Sequence, residues 1–268
     1  MGDDDNMEIL YNAQQYLTTR YPANLFDEGQ TMIVPTFPID YFHKFYQQFH
    51  TEWDHSTAKL LEIGGGPCVH TFISAAPYVA EIYHSDYVQS CRDEVKMWRN
   101  NDPNAYDWTP YFNYVVNKLE GQSGHNPVAE RQERLRKILK DIVYCDINTD
   151  DAIVPTITFP VNIITTSYCL EHSKSLELYD STLRKFYDML TPNGFLALLS
   201  GIECTWSILN GIKHPFPLYL SLDIIKKSLE KAGFVIRYMN SREIPLSERG
   251  IDRDTPSVGF FVAQKKCH

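Results

Sequence analysis

The sequence predicts an α/β fold, a doubly wound Rossmann-like sheet of seven strands ending in an antiparallel hairpin. Three observations carry this. Short apolar runs alternate with helix-patterned segments along most of the chain, which is the signature of βαβ units. A glycine turn, Gly64-Gly65-Gly66-Pro67, directly follows the first buried run. The last two apolar runs, 234–239 and 258–263, have no helical pattern between them and therefore pair as a hairpin.

Taken in order, residues 8–56 are aromatic-rich and helix-like, with Pro22, Pro35 and Pro38 as breaks. A buried strand at 58–63 leads into the glycine turn, a helix at 70–76 and a second strand at 81–85 closed by Asp86. Helix-forming sequence resumes at 89–100. Residues 101–137 break the alternation and read as an insertion over one end of the sheet, with a charged helical run at 130–140. Strands return at 142–145, 161–166 and 195–199. Helices fit 177–190 and 221–232, the second stopped by Gly233. The expected organisation is one domain over 1–268, with 1–56 as a helical lid segment and 57–268 as the core.

Composition narrows the function classes. The chain has 268 residues, 43% hydrophobic and 22% charged, as a soluble globular protein does. It has no apolar run near the roughly 18 residues of a membrane span. Its acidic start lacks the basic and apolar regions of a secretory signal, so a cytoplasmic enzyme is expected. Six scattered cysteines and nine histidines show neither C-x-x-C nor H-E-x-x-H spacing, which argues against a disulfide scaffold or a metal centre. A net charge of −9 without a Lys/Arg stripe argues against nucleic acid as a partner, and the missing apolar span argues against a membrane. The expected partner is a small molecule and the expected state a monomer.

The glycine turn lies at the carboxyl end of the first strand, where doubly wound sheets bind ligands. Asp86 follows Gly64 by 22 residues, at the end of the second strand, where a carboxylate accepts ribose hydroxyls. A dinucleotide site needs G-x-G-x-x-G, but Val69 holds its last glycine position and Pro67 interrupts it. There is no G-x-x-x-x-G-K-[ST] phosphate loop either. A nucleoside ligand without phosphate fits, which disfavours an NAD-dependent oxidoreductase. Two readings stand for Asp146, an adenine contact or a turn former. For Glu171 the residues alone read as a carboxylate stabilised at a helix N-terminus.

The stretches LLEIGGGP, HSDYVQSCRDEVKMW, NAYDWTPYFNYVVNKLEG, CDIN, YCLEHS, TPNGFLALLSG, KKSLEKAGF and GFFVAQKK go further. Through them the chain resembles the phenylethanolamine, nicotinamide and indolethylamine (thioether) N-methyltransferases, from about residue 8 to the C-terminus. The D-W-[ST]-P and C-L-E motifs are the most specific of these. The resemblance implies a class I S-adenosylmethionine-dependent methyltransferase that methylates a nitrogen on a small amine. S-adenosyl-L-methionine is then the cofactor, with no metal. The implied cofactor residues are Tyr11, Tyr16, Tyr21, Gly64, Gly65, Gly66, His70, Asp86, Tyr87, Cys91, Asp146, Ile147 and Ser167. Glu171 is implied as amine ligand and proton acceptor, and Tyr168 as an aromatic wall. Ser200, Glu203, Trp206 and Asp254 (or Asp252 with a shift) complete the implied substrate set.

The chain departs from the family at several of these positions. His70 stands for a tyrosine, Cys91 for an asparagine and Cys204 for a glutamate, which leaves Glu203 one residue early. Ser200 stands where the nicotinamide enzyme has aspartate, which favours an aryl-alkylamine over a pyridine. A pyridine-type enzyme and a catalytically silent cofactor-binding regulator are the alternatives.

Overall fold

The computed structural model describes residues 12–21, 33–123, 125–157, 159–209, 212–246 and 254–266. Its sheet contains strands β1 (Lys59–Ile63), β2 (Glu81–Asp86), β3 (Leu139–Tyr144), β4 (Val161–Ser167), β5 (Leu190–Ile202), β8 (Phe234–Glu243) and β9 (Ser257–Lys265). They lie in the order β3-β2-β1-β4-β5-β9-β8. The first five run parallel, and β9 pairs antiparallel with both β5 and β8. This is the doubly wound sheet with terminal hairpin that the alternation predicts. Chain order reverses between β1 and β4, which opens a crevice at the carboxyl ends of these strands.

Helices cover both faces, so the strands are apolar on both sides. Leu60, Ile163, Ala197 and Leu199 point into one core with Phe42, Phe45 and Tyr46 of α2 (Ile33–Phe49) and Val95 and Trp98 of α3 (Gln89–Arg99). Leu61, Ile164, Leu196 and Leu198 point into the other, against Leu183 and Phe186 of α6 (Leu176–Met189) and Ile225 and Leu229 of α7 (Leu222–Ala232). The period-two alternation of each strand thus divides its side chains between two cores.

Several boundaries differ from the expectation. Pro38 does not break α2, which runs through it. A proline removes its own N–H bond and crowds the carbonyl four residues back, and the buried stripe Phe42, Phe45, Tyr46 and Phe49 holds the helix against that cost. The helix expected at 70–76 is one 3₁₀ turn, His70–Phe72, followed by i→i+3 turns up to Tyr78, because Pro77 stops propagation. The charged run does not stay helical to residue 140. Helix α5 (His125–Ile138) ends and β3 begins at Leu139. Within the insertion, α4 (Thr109–Asn113) continues into a π-helical turn, Tyr114–Leu119. A buried two-pronged ion pair, Arg131 to Glu120 at 2.7 and 2.8 Å, ties it to α5, and Arg131 also donates to the Ile73 carbonyl. Gly233 ends α7 at φ +101°, as its position predicts.

Helix α1 (Ala13–Arg20), capped by Asn12, packs against α3 near the strand ends. The sequence reading missed a separate two-stranded hairpin, β6 (Trp206–Leu209) and β7 (Ile212–Pro215). Among the described residues no helix is long and apolar enough to cross a membrane.

Candidate functional site

A cavity of about 730 Å³ opens at the carboxyl ends of the parallel strands. Its floor is the glycine turn. Gly64 and Gly66 have φ of +64° and +63°, and a Cβ on Gly64 would lie 2.1 Å from Cys169 Sγ. Only glycine allows that approach. The Asp86 carboxylate is fixed beside the turn, accepting the Gly66 N–H on Oδ2 and the Val88 N–H on Oδ1, each at 2.8 Å. Burial raises its pKa and these two N–H groups oppose the rise. Tyr87 and Cys91 extend the wall on this side.

Asp146, Ile147 and Asn148 follow β3 on the wall, and Ser167 closes β4. Asp146 Oδ1 accepts the Asn148 N–H at 2.7 Å, so the turn-forming role is filled on the wall itself. From the other side α1 brings Tyr16 and Tyr21 over the opening. The Tyr21 ring lies 4.9 Å from His70 and 5.4 Å from Trp108. His70 is 4% exposed, and neither ring nitrogen has a hydrogen-bond partner among the described residues. Burial pushes its pKa down to about 3, which keeps it neutral. Tyr11 and Asp252 lie outside the described residues.

Beyond the glycine turn the wall is built by the segments after β4 and β5. Tyr168 has φ of +52° and donates its N–H to the Leu199 carbonyl at 3.0 Å. Glu171 is 3% exposed and sits in a single 3₁₀ turn, Leu170–His172. Helix α6 starts only at Leu176 behind its own cap, Ser175, so a helix-terminal role for Glu171 falls away. Its Oε1 accepts the Ser200 hydroxyl at 2.9 Å and the Gly201 N–H. Ser200 is buried behind the wall and acts on the carboxylate instead of facing the cavity.

Three other expected substrate residues stand off the wall. Glu203 is exposed, at φ +60°. Trp206 lies on β6 beneath Lys213, 4.2 Å from its ring. Asp254 accepts the Thr205 hydroxyl at 2.7 Å. Their neighbours Cys204, Ser207 and Thr255 line the cavity instead. From the β6–β7 hairpin and the segment after it come Ser207, His214 and Phe216, and Phe216 meets the His172 ring at 5.1 Å. The Asn210-Gly211 pair in the sequence, a strong hairpin signal, would have revealed this element. Glu62 was also missed, although it is the lone acid within the apolar end of β1. All five described cysteines, Cys68, Cys91, Cys145, Cys169 and Cys204, border this one cavity. No group of three or more His, Cys, Asp or Glu able to hold a metal occurs among the described residues.

The donor set fits a nucleoside with an amino-acid tail. A ribose-side carboxylate, a side-chain-free turn and partnerless buried polar atoms on Glu62 and His70 border one space.

Comparison with known proteins agrees. Residues 2–266 match the family described as NNMT/PNMT/TEMT. The chain is 28% identical to indolethylamine N-methyltransferase of Oryctolagus cuniculus over 99% of this chain and 96% of that one. It is 27% identical to nicotinamide N-methyltransferase of Homo sapiens over 67% of each. It is 26% identical to phenylethanolamine N-methyltransferase of Sus scrofa over 77% and 73%. Among solved structures, magnesium protoporphyrin IX methyltransferase of Synechocystis, with bound S-adenosylmethionine, aligns over 99% of this chain and 98% of that one. Its TM-score is 0.55 at 10% identity, a likeness of fold.

Proposed function

From the premise that the chain belongs to the NNMT/PNMT/TEMT family of S-adenosylmethionine-dependent N-methyltransferases, we propose that it methylates the nitrogen of a small aryl-alkylamine. The observation that carries this reading is Glu171, a buried carboxylate on the cavity wall with one oxygen held by Ser200 and Gly201.

In this reading Gly64–Gly66 and Asp86 hold the nucleoside, Asp146 and Ile147 border the adenine, and Tyr16 and Tyr21 close over it. When bound, S-adenosylmethionine supplies a methyl group on sulfonium sulfur, already activated for in-line displacement. The protein contributes positioning, worth roughly 7–11 kcal/mol in a near-attack geometry. Glu171 binds the ammonium and accepts its proton, freeing the nitrogen lone pair, a step worth about 10²–10⁴-fold. Tyr168 and Phe216 offer aromatic surface to the ring of the amine and to its cation. Six scattered cysteines, with no compact disulfide spacing, suit a reducing compartment such as the cytosol.

The test is a transfer assay with methyl-labelled cofactor over phenylethylamines, indolethylamines and pyridines. Label entering an aryl-alkylamine, with a rate that rises steeply with pH as the ammonium loses its proton, is the expected result. A pyridine preference with a flat pH profile moves the assignment to the pyridine class. No transfer to any acceptor, despite cofactor binding, makes the chain a binding protein.

A further inference from the structure

The β6–β7 hairpin borders the Glu171 end of the cavity and presents two unlike faces. Trp206 and Lys213 share one face, with the Lys213 ammonium 4.2 Å from the indole ring. Ser207 and His214, paired across the two strands, take the other face and line the cavity. The Phe216 N–H donates to the Thr205 carbonyl at 3.0 Å, which carries the strand alternation one step past β7. Phe216 therefore stands beside His214 on the cavity face. The Asp254 N–H donates to the Trp206 carbonyl at 3.1 Å and so seats Thr255 against the start of β6. A Cβ on Gly201 would lie 3.8 Å from Thr255 Cγ2 and 3.4 Å from Glu171 Oε1, which joins this polar face to the buried carboxylate. Among the described residues, His214 Nε2 and Thr255 Oγ1 are both buried without a hydrogen-bond partner. Polar atoms so placed are costly until a partner reaches them.

We propose that His214 and Ser207 select an amine whose ring carries a hydroxyl, bonding that group while Glu171 holds the ammonium at the other end. This rests on the amine reading above. A hydroxyl both donates and accepts, so it satisfies the imidazole Nε2 in either tautomer and the Ser207 hydroxyl in either orientation. An apolar substituent offers neither bond. An anionic substituent would find no counter-charge on this face of the hairpin, because Lys213 lies on the opposite one. Phe216 sets the geometry. A ring packed on it has an edge beside His214, two residues back on the same face. A site built to bond a hydroxyl rejects the analogue that lacks it, because its own polar atoms are then left unpaired. Selectivity thus comes from the hairpin, and reactivity from Glu171.

The experiment measures kcat/KM of the full chain for phenethylamine, for its 3-hydroxy and 4-hydroxy forms, and for 4-methylphenethylamine. Methyl-labelled S-adenosylmethionine is the donor. The better hydroxylated amine should exceed phenethylamine at least about tenfold. The 4-methyl compound, which matches the 4-hydroxy form in shape without its hydrogen bonds, should stay with phenethylamine. His214→Leu should bring the ratio of hydroxylated to bare amine down to about one, and Ser207→Ala should reduce it in smaller measure. Calorimetry with S-adenosylhomocysteine in the cofactor site should give the same ranking as affinities, without any turnover. Equal values for hydroxylated and bare amines, a methyl analogue as good as the hydroxyl, or a ratio kept in His214→Leu would each overturn the proposal. If that variant fails to fold, the wild-type series with its methyl control decides alone. Transfer to pyridines with no amine methylated or bound would sink the amine reading first, and this proposal with it. Amines methylated without regard to the hydroxyl would sink this proposal alone.

Discussion

Glu171 and Ser200 divide one task. The carboxylate faces the cavity while the hydroxyl behind it fixes one oxygen. Glu171→Gln keeps the shape and removes the charge. It should cut kcat/KM for an amine at least about tenfold, roughly 1.4 kcal/mol of transition-state stabilisation, with cofactor affinity unchanged. Ser200→Ala removes only the support, so it should lower kcat/KM less, and the pH–rate profile should shift because the carboxylate loses a donor. Steady-state kinetics across pH check both; a rate indifferent to Glu171→Gln contradicts the amine reading. At this scale the sequence was informative where a residue type is rare in its setting, as with Asp86 ending a strand. It was uninformative where one-residue shifts matter. Glu203 and Cys204 are neighbours, yet only Cys204 reaches the wall, because a left-handed backbone at Glu203 turns its side chain outward.

At the level of elements, the glycine turn shows why three adjacent glycines are not equivalent. Gly64 has both a left-handed φ and a sulfur where its Cβ would be, whereas nothing lies within 4 Å of a Cβ on Gly66. Gly64→Ala should therefore lose cofactor binding and lower the melting temperature. Gly66→Ala should lose only about 1–2 kcal/mol, the cost of the left-handed conformation alone. Thermal melts with and without cofactor separate the two, and equal losses would contradict the contact with Cys169. The parallel strands and both late helices were legible because their apolar periods are unbroken and their caps, Ser175, Ser221 and Gly233, are explicit. The 70–76 segment and Pro38 misled in opposite directions. In the first, helix-forming residues are stopped by Pro77; in the second, a helix breaker is overruled by a buried aromatic stripe. The β6–β7 hairpin escaped because four-residue strands carry too little periodicity.

Across the whole molecule, buried ionisable groups set how stability depends on pH. Burial pushes His70 and His84 down to about 3, so both stay neutral in the fold while the unfolded chain protonates them below about 6.5. Stability is then lost as pH falls through that window, by about 1.4 kcal/mol per pH unit for each imidazole. Glu62 acts with the opposite sign. Its folded pKa of about 7 lies above the unfolded 4.5, so stability falls as pH rises between those values and one imidazole is offset there. Urea unfolding of the empty protein should give a maximum near pH 6.5 and a steeper decline below about pH 4.5, where the offset ends. A flat profile down to about pH 4 would contradict neutral buried histidines. The placement of the described cysteines runs counter to their usual liability. All five border the cavity, yet burial raises the pKa of Cys68, Cys145 and Cys169 and keeps these thiols protonated, so they are slow to oxidise. The wall that receives the ligand is also the wall that shelters its sulfur.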